Sequence, residues 1–183
     1  MTIAIIVLVV LVVAFLVWNY NRLIGLKNRA DAGWAQIDLQ LQRRYDLIPN
    51  LVETVKGYAA HESGTLQAVT EARNMAQQAQ GPAAQGQAEN MLSGALKSLF
   101  AVSEAYPDLK ANQNYMQLQE ELTGTEGRIA YARQFYNEAV QSFNTAIAQI
   151  PGNLFAGPMK LTEREYFELD PGGEARGPVK VQF

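Results

Sequence analysis

The stretch IAIIVLVVLVVAFLVW, residues 3–18, followed by NYNRLIGLKNRADAGWAQIDLQLQRRYDLI, residues 19–48, decides how this chain is built. Every position from Ile3 to Trp18 is apolar, and the chain turns polar at Asn19. A bilayer core of roughly 30 Å needs about 20 helical residues, and residues 1–20 meet that length. Thirteen of these residues are Ile, Val, Leu or Phe. Each contributes about −0.3 to −0.6 kcal/mol near the centre of a spanning helix, so insertion is favoured. A cleaved signal fits less well, because no basic residue precedes the run and its end, Phe15-Leu16-Val17-Trp18, offers no small-residue cleavage site. Trp18 and Tyr20 stand where interfacial aromatics belong. Arg22, Lys27 and Arg29 follow before the first acid, Asp31. By the positive-inside tendency the N-terminus lies outside and the rest of the chain in the cytoplasm.

Beyond the span, Leu23, Leu26, Ala30, Trp34, Ile37, Leu41, Tyr45 and Ile48 recur at steps of three and four with an eleven-residue repeat. That period, about 3.67 residues per turn, lets the membrane helix continue without a break. Pro49 is the first obstacle. It lacks an N–H and crowds the preceding turn, so a kink or a restart is expected there, with Asp46 placed to cap a new helix. A second segment, residues 50–80, carries Leu51, Val55, Tyr58, Leu66, Val69 and Ala76. Residues 76–88, with Gly81-Pro82 and five Gln, suggest a helix end and a connector. A third helix places Leu92, Leu96, Leu99 and Val102 on one side and stops before Pro107. Asn112 is a candidate cap for the fourth.

The fourth segment has the most regular seam: Tyr115, Leu118, Leu122, Thr125, Ile129, Ala132, Tyr136, Ala139, Phe143, Ala146 and Ile150. Helical from Gln113 to Ile150, it would reach about 57 Å. Its mixture of aromatics, alanines and Thr125 suits packing against several helices. Gly33, Gly124 and Gly127 each weaken a helix by up to about 1 kcal/mol relative to Ala, a cost that close helix approach would offset. Residues 151–183 hold four Pro and five Gly and read as an irregular tail, with Tyr166–Leu169 and Val179–Phe183 as short strand candidates. The expected fold is therefore all-α. A transmembrane anchor, 1–20, runs into an antiparallel bundle of three or four long helices, 21–150, and an extended tail, 151–183.

The segment DLQLQRRYDLIPNLVETVKGYAAHE, 38–62, resembles the signature of the LemA family. So do EAYPDLKAN at 104–112, LQEEL at 118–122 with Thr125-Glu126 and Ile129-Ala130, and ARQFYN at 132–137. The resemblance spans about 19–155. It implies a membrane-anchored helical bundle in the bacterial inner membrane, with no known enzymatic activity, cofactor or catalytic residue set. One branch of the family is linked to shaping or invaginating membrane. Other members are associated with signalling or lie beside membrane-attached phosphatase-like proteins.

Composition narrows the chemistry. With 15 Lys and Arg against 18 Asp and Glu, the formal charge is −3, and the scattered signs leave no basic footprint for nucleic acid. No Cys and a single His exclude thiolate sites and imidazole clusters. His61-Glu62 begins a zinc-protease pattern, but Thr65 stands where its second His is needed. Glu120, Glu121 and Glu126 invite an acid-base reading, yet a solvated helix face supplies the same residues and no nucleophile accompanies them. No catalytic, cofactor or metal residue is assigned. The interaction candidates are Trp34, Arg43, Arg44, Asp46 and Pro49. Trp34 lies on the first seam as core or as a subunit interface. The Arg pair offers forked donors to a lipid phosphate or a carboxylate, or simply pairs and caps at a helix end. The leading expectation is a non-enzymatic scaffold that self-associates and organises the membrane. The runner-up is an adaptor that docks a membrane-associated phosphatase, protease or signalling partner, with Val179–Phe183 adding to a partner's sheet edge.

Overall fold

The computed structural model describes residues 1–59 and 61–169, and among them every regular element is helical. In order these are α1 (Thr2–Lys56), α2 (Ser63–Gln78), α3 (Pro82–Ser103), α4 (Pro107–Lys110), α5 (Gln113–Ala148) and α6 (Gly152–Ala156). The apolar start of α1 stays exposed, from Ile3 at 77% to Trp18 at 58%. A helix this apolar and this long is sufficient to cross a membrane.

The eleven-residue stripe reads out as packing: Leu23, Ala30, Ile37, Leu41, Tyr45 and Ile48 are buried, and Leu51 and Val55 prolong the same face. The expected restart near Asp46 does not occur, because α1 passes through Pro49 and ends at Lys56. A proline at this position deprives the Tyr45 carbonyl of its i+4 donor. Arg73 of α2 replaces it, its Nε donating to that carbonyl at 2.8 Å. A tertiary bond thus offsets what the helix loses locally. The expected connector over 76–88 is also shorter than the composition suggests. Gly81 takes φ of 84°, in the left-handed region, and Pro82 opens α3 immediately, where its missing N–H has no intrahelical partner to lose.

Two compact units result, and α1 and α5 contribute to both. In the first, 1–41 with 127–166, Leu23 packs with Phe143, Ala146 and Ile147, flanked by Leu26, Phe155, Ala156, Met159 and Leu161. Further along α1, Gly33 meets the other helix. A Cβ there would lie 3.0 Å from the Tyr136 Cα, so the small residue permits the approach that was anticipated. Residue numbers rise on α1 as they fall on α5, so within this unit the two helices are antiparallel. Gly127 faces open space and needs another explanation than close packing. Ile150, the expected last member of the fourth seam, is 79% exposed because α5 ends at Ala148. Gly152 lies so tightly on the end of α5 that a Cβ would overlap the Ala146 carbonyl oxygen.

The chain after α6 is strapped down. Arg164 pairs with Asp31 at 2.6 Å, the Asn144 side chain exchanges two 2.9 Å hydrogen bonds with the Arg164 backbone, and the Tyr136 hydroxyl donates to the Glu165 carbonyl at 2.9 Å. Tyr166–Leu169, the expected strand candidate, forms no strand. Val179–Phe183 lies outside the described residues.

In the second unit, 42–126 with 167–169 among the described residues, α2 and α3 form a hairpin that bonds to α1 through Arg73 and Glu89. Ile48, Leu51, Val55, Leu66, Val69, Leu92, Leu96 and Leu99 are buried there. Each such side chain contributes about 1.5–3 kcal/mol of burial. Asn112 caps α5 as expected, its Oδ1 accepting from the Tyr115 N–H at 3.1 Å.

Candidate functional site

The densest polar cluster among the described residues lies in the second unit, where α1 presents Arg44 and Tyr45 to the start of α3. Extending the Leu92, Leu96, Leu99 stripe of α3 backward by three and seven residues reaches Glu89 and Gln85. A helix that begins at Pro82 therefore puts these two polar residues on its core face. Arg44 is 2% exposed and Glu89 is 0% exposed. The Arg44 guanidinium donates to Glu89 at 3.1 Å, to the Ser93 hydroxyl at 2.9 Å and to Glu126 at 3.2 Å. The Tyr45 hydroxyl donates to the other Glu89 oxygen. Gln85 donates to that hydroxyl at 2.8 Å and to the Ala76 carbonyl at 3.0 Å. Four helices are thereby tied through two adjacent residues of α1.

Burial pushes the Glu89 carboxyl above the usual carboxylate range, against the bonds from Tyr45, Arg44 and Gln85 that favour its ionised form. Burial beside Glu89 likewise raises the Tyr45 phenol. Such a network does not resemble a reaction centre. Glu126 reaches solvent at 52% exposure and Ser93 in part, while Glu89, Ser93 and Glu126 already take up the terminal donors of Arg44. The Arg44 Nε alone lacks a partner. The chemistry available is internal pairing, which fixes helix register and leaves no buried charge alone.

The sequence candidates separate on this framework. Arg44 enters the network, whereas Arg43 and Asp46 are exposed on the other side of α1 and take no part in it. Ion pairing is thus realised by Arg44, but there is no helix end for the cluster to cap. Pro49 is exposed, and its effect is transmitted through the Tyr45 carbonyl and Arg73. Trp34 belongs to the first unit, half-buried with its ring 5.4 Å from that of Tyr136. His61 is exposed, as are Glu120 and Glu121. Among the described residues no group of three or more His, Cys, Asp or Glu is placed to hold a metal ion. Gln85 is missed because the glutamine-rich composition of 76–88 suggests a connector, and Glu89 and Ser93 because an isolated Glu and Ser at a helix start do not reveal a buried partner. The backward continuation of the Leu92 stripe is the signal that finds Gln85 and Glu89, whereas Ser93 lies off that stripe.

An N-terminal apolar helix long enough to cross a membrane and a body that is helical in every regular element among the described residues together define a membrane-associated helical protein. The chain belongs to the LemA family, whose model matches residues 33–183. That match runs past Phe155 and includes the strapped segment and the chain beyond it. Magnetosome protein MamQ 2 of Paramagnetospirillum magneticum is 27% identical over 192 residues, covering 91% of this chain and 71% of that protein. MamQ of Magnetospirillum gryphiswaldense is 25% identical over 185 residues, covering 87% and 68%. Protein LemA of Metamycoplasma hominis is 27% identical over 152 residues, covering 81% and 68%. None of these names is that of an enzyme.

Proposed function

We propose that this protein is a non-enzymatic scaffold of the bacterial inner membrane, whose single-span subunits self-associate and organise or remodel the bilayer. The observation that carries this reading is the continuity of α1: one helix, Thr2–Lys56, holds both the exposed apolar segment and the side chains that anchor each unit's core. A tether would need only a loose joint, whereas here a change in the tilt of the span is transmitted into packed helix. The relatives named as magnetosome proteins support a role at a membrane. The basic residues Arg22, Lys27 and Arg29 after the span support an outside N-terminus and a cytoplasmic body. Exposed apolar side chains on the span, from Ile3 to Val17, supply the first surface for self-association. Mass measurement of the full chain extracted in a mild detergent tests the proposal. A defined multimer is expected; a strictly monomeric particle at all protein concentrations would overturn it.

A further inference from the structure

Just beyond the apolar segment, in the first unit, α1 and α5 enclose an open groove of about 460 Å³ lined by Arg22, Leu26, Gln141, Ser142, Thr145 and Ala146. Its depth follows from α1 itself. Arg22 lies four residues past Trp18 and two past Tyr20, which at 1.5 Å per residue is about 3–6 Å outside the aromatic level. The polar headgroup layer adds about 5–8 Å to each side of the hydrocarbon core, so the groove opens within that layer. Its composition suits a headgroup rather than an acyl chain, with one guanidinium, one amide and two hydroxyls over a floor of Leu26 and Ala146. Arg22 carries its guanidinium 6.0 Å above the Trp18 ring, and among the described residues it pairs with no carboxylate. Asn19, on the same stripe of α1 one turn nearer the span, is 0% exposed, and neither of its side-chain amide atoms has a partner. At the same end of this unit Ile150 and Leu154 stand 79% and 69% exposed, beside Gly152, which packs towards Leu23. Apolar side chains left out at this level would gain from contact with lipid.

We propose that this groove is a phospholipid headgroup site, in which Arg22 receives the phosphate and Gln141 and Thr145 bind its remaining oxygens. The turn bearing Ile150 and Leu154 rests in the same interface. The site rests on the reading that α1 spans the bilayer and does not depend on self-association. A fixed headgroup beside α1 would hold the helix at one depth and one rotation.

Native mass spectrometry of the full chain in a neutral detergent, with phosphatidylglycerol or inorganic phosphate added, tests this. Wild type is expected to retain phosphatidylglycerol in a one-per-protomer ratio, with inorganic phosphate failing to displace it. Charge-assisted hydrogen bonds of this kind imply a roughly ten- to hundredfold weaker retention in R22Q, an intermediate loss in R22K, and a smaller loss in T145V. K27Q, which changes a basic residue outside the groove, should retain lipid as wild type does. Retention unchanged in both R22Q and T145V would overturn the site, and so would equal weakening in K27Q, which indicates a diffuse basic belt. Binding of inorganic phosphate without lipid would overturn the assignment to phospholipid. Because retention is counted per protomer, a monomer that holds one lipid would support the site while sinking the scaffold.

Discussion

At the residue scale, the stability of the second unit turns on Glu89, which is fully buried against Arg44. Removing one partner of a buried ion pair leaves the other charge in a medium that cannot solvate it, at a cost of about 3–5 kcal/mol. E89A should therefore lower the thermal midpoint of the full chain in detergent sharply, followed by circular dichroism. The R44M/E89M pair should cost less than the two single changes added together, a coupling of about 1–3 kcal/mol. Proton linkage gives a second expectation. Burial raises the folded-state carboxyl above its unfolded value of about 4.3, so the folded chain binds the extra proton between those two values. The advantage of wild type over E89Q should thus be fully present below the unfolded value and shrink as pH rises through the raised folded value. Unfolding both proteins in denaturant across the acid range checks this, and an advantage that grows with pH would refute the assignment. None of this was legible in the sequence as a site. Arg44 is visible as a candidate beside Arg43 and Asp46, but its partner Glu89 stands forty-five residues on, and its place on the Leu92 stripe shows only once that helix is known to begin at Pro82.

At the element scale, the seams were the legible part, because burial on a helix face leaves a period that survives without knowledge of the partner. The stripe from Leu23 to Ile48 and the seam from Tyr115 to Ala146 both pack inward, apart from their half-buried members Leu26, Trp34 and Leu118. Element ends were less legible wherever a tertiary bond overrides local chemistry. Pro49 is the clearest case, since intrinsic preference argues for a break of about 3 kcal/mol and the helix continues. If the Arg73 bond is the compensation, the two residues must be coupled. In the wild-type background R73M orphans the Tyr45 carbonyl, and a loss of about 1–3 kcal/mol is expected. In P49A the backbone N–H restored at that position bonds the same carbonyl, so the same R73M change should cost clearly less. A double-mutant cycle by thermal melting measures the difference. Equal costs in both backgrounds would mean that Arg73 stabilises α2 for another reason.

At the scale of the whole molecule, the question is how securely the chain is held in a bilayer. The apolar residues of the segment together favour insertion by about 4–8 kcal/mol, while a single Arg near its centre costs about 2.5–3.5 kcal/mol and forfeits one favourable residue. One such substitution is therefore within the margin of the segment, and two exceed most of it. L8R should still sediment with membranes after alkaline carbonate washing. L8R/V12R, with both charges one helical turn apart on one face, should be largely released or fail to integrate. The pair also separates integration from the fold, because the body of the protein does not bury these side chains: Leu8 is 62% exposed and Val12 49%. The released double variant should keep a helical circular dichroism spectrum but melt below wild type, because α1 runs unbroken from the span into both packed units. If it unfolds on release, the span contributes to the stability of the helices it leads into, and α1 works as one element from membrane to core. If it melts as wild type does, the apolar segment serves membrane attachment alone, and tilting the span does no energetic work on the packed helices.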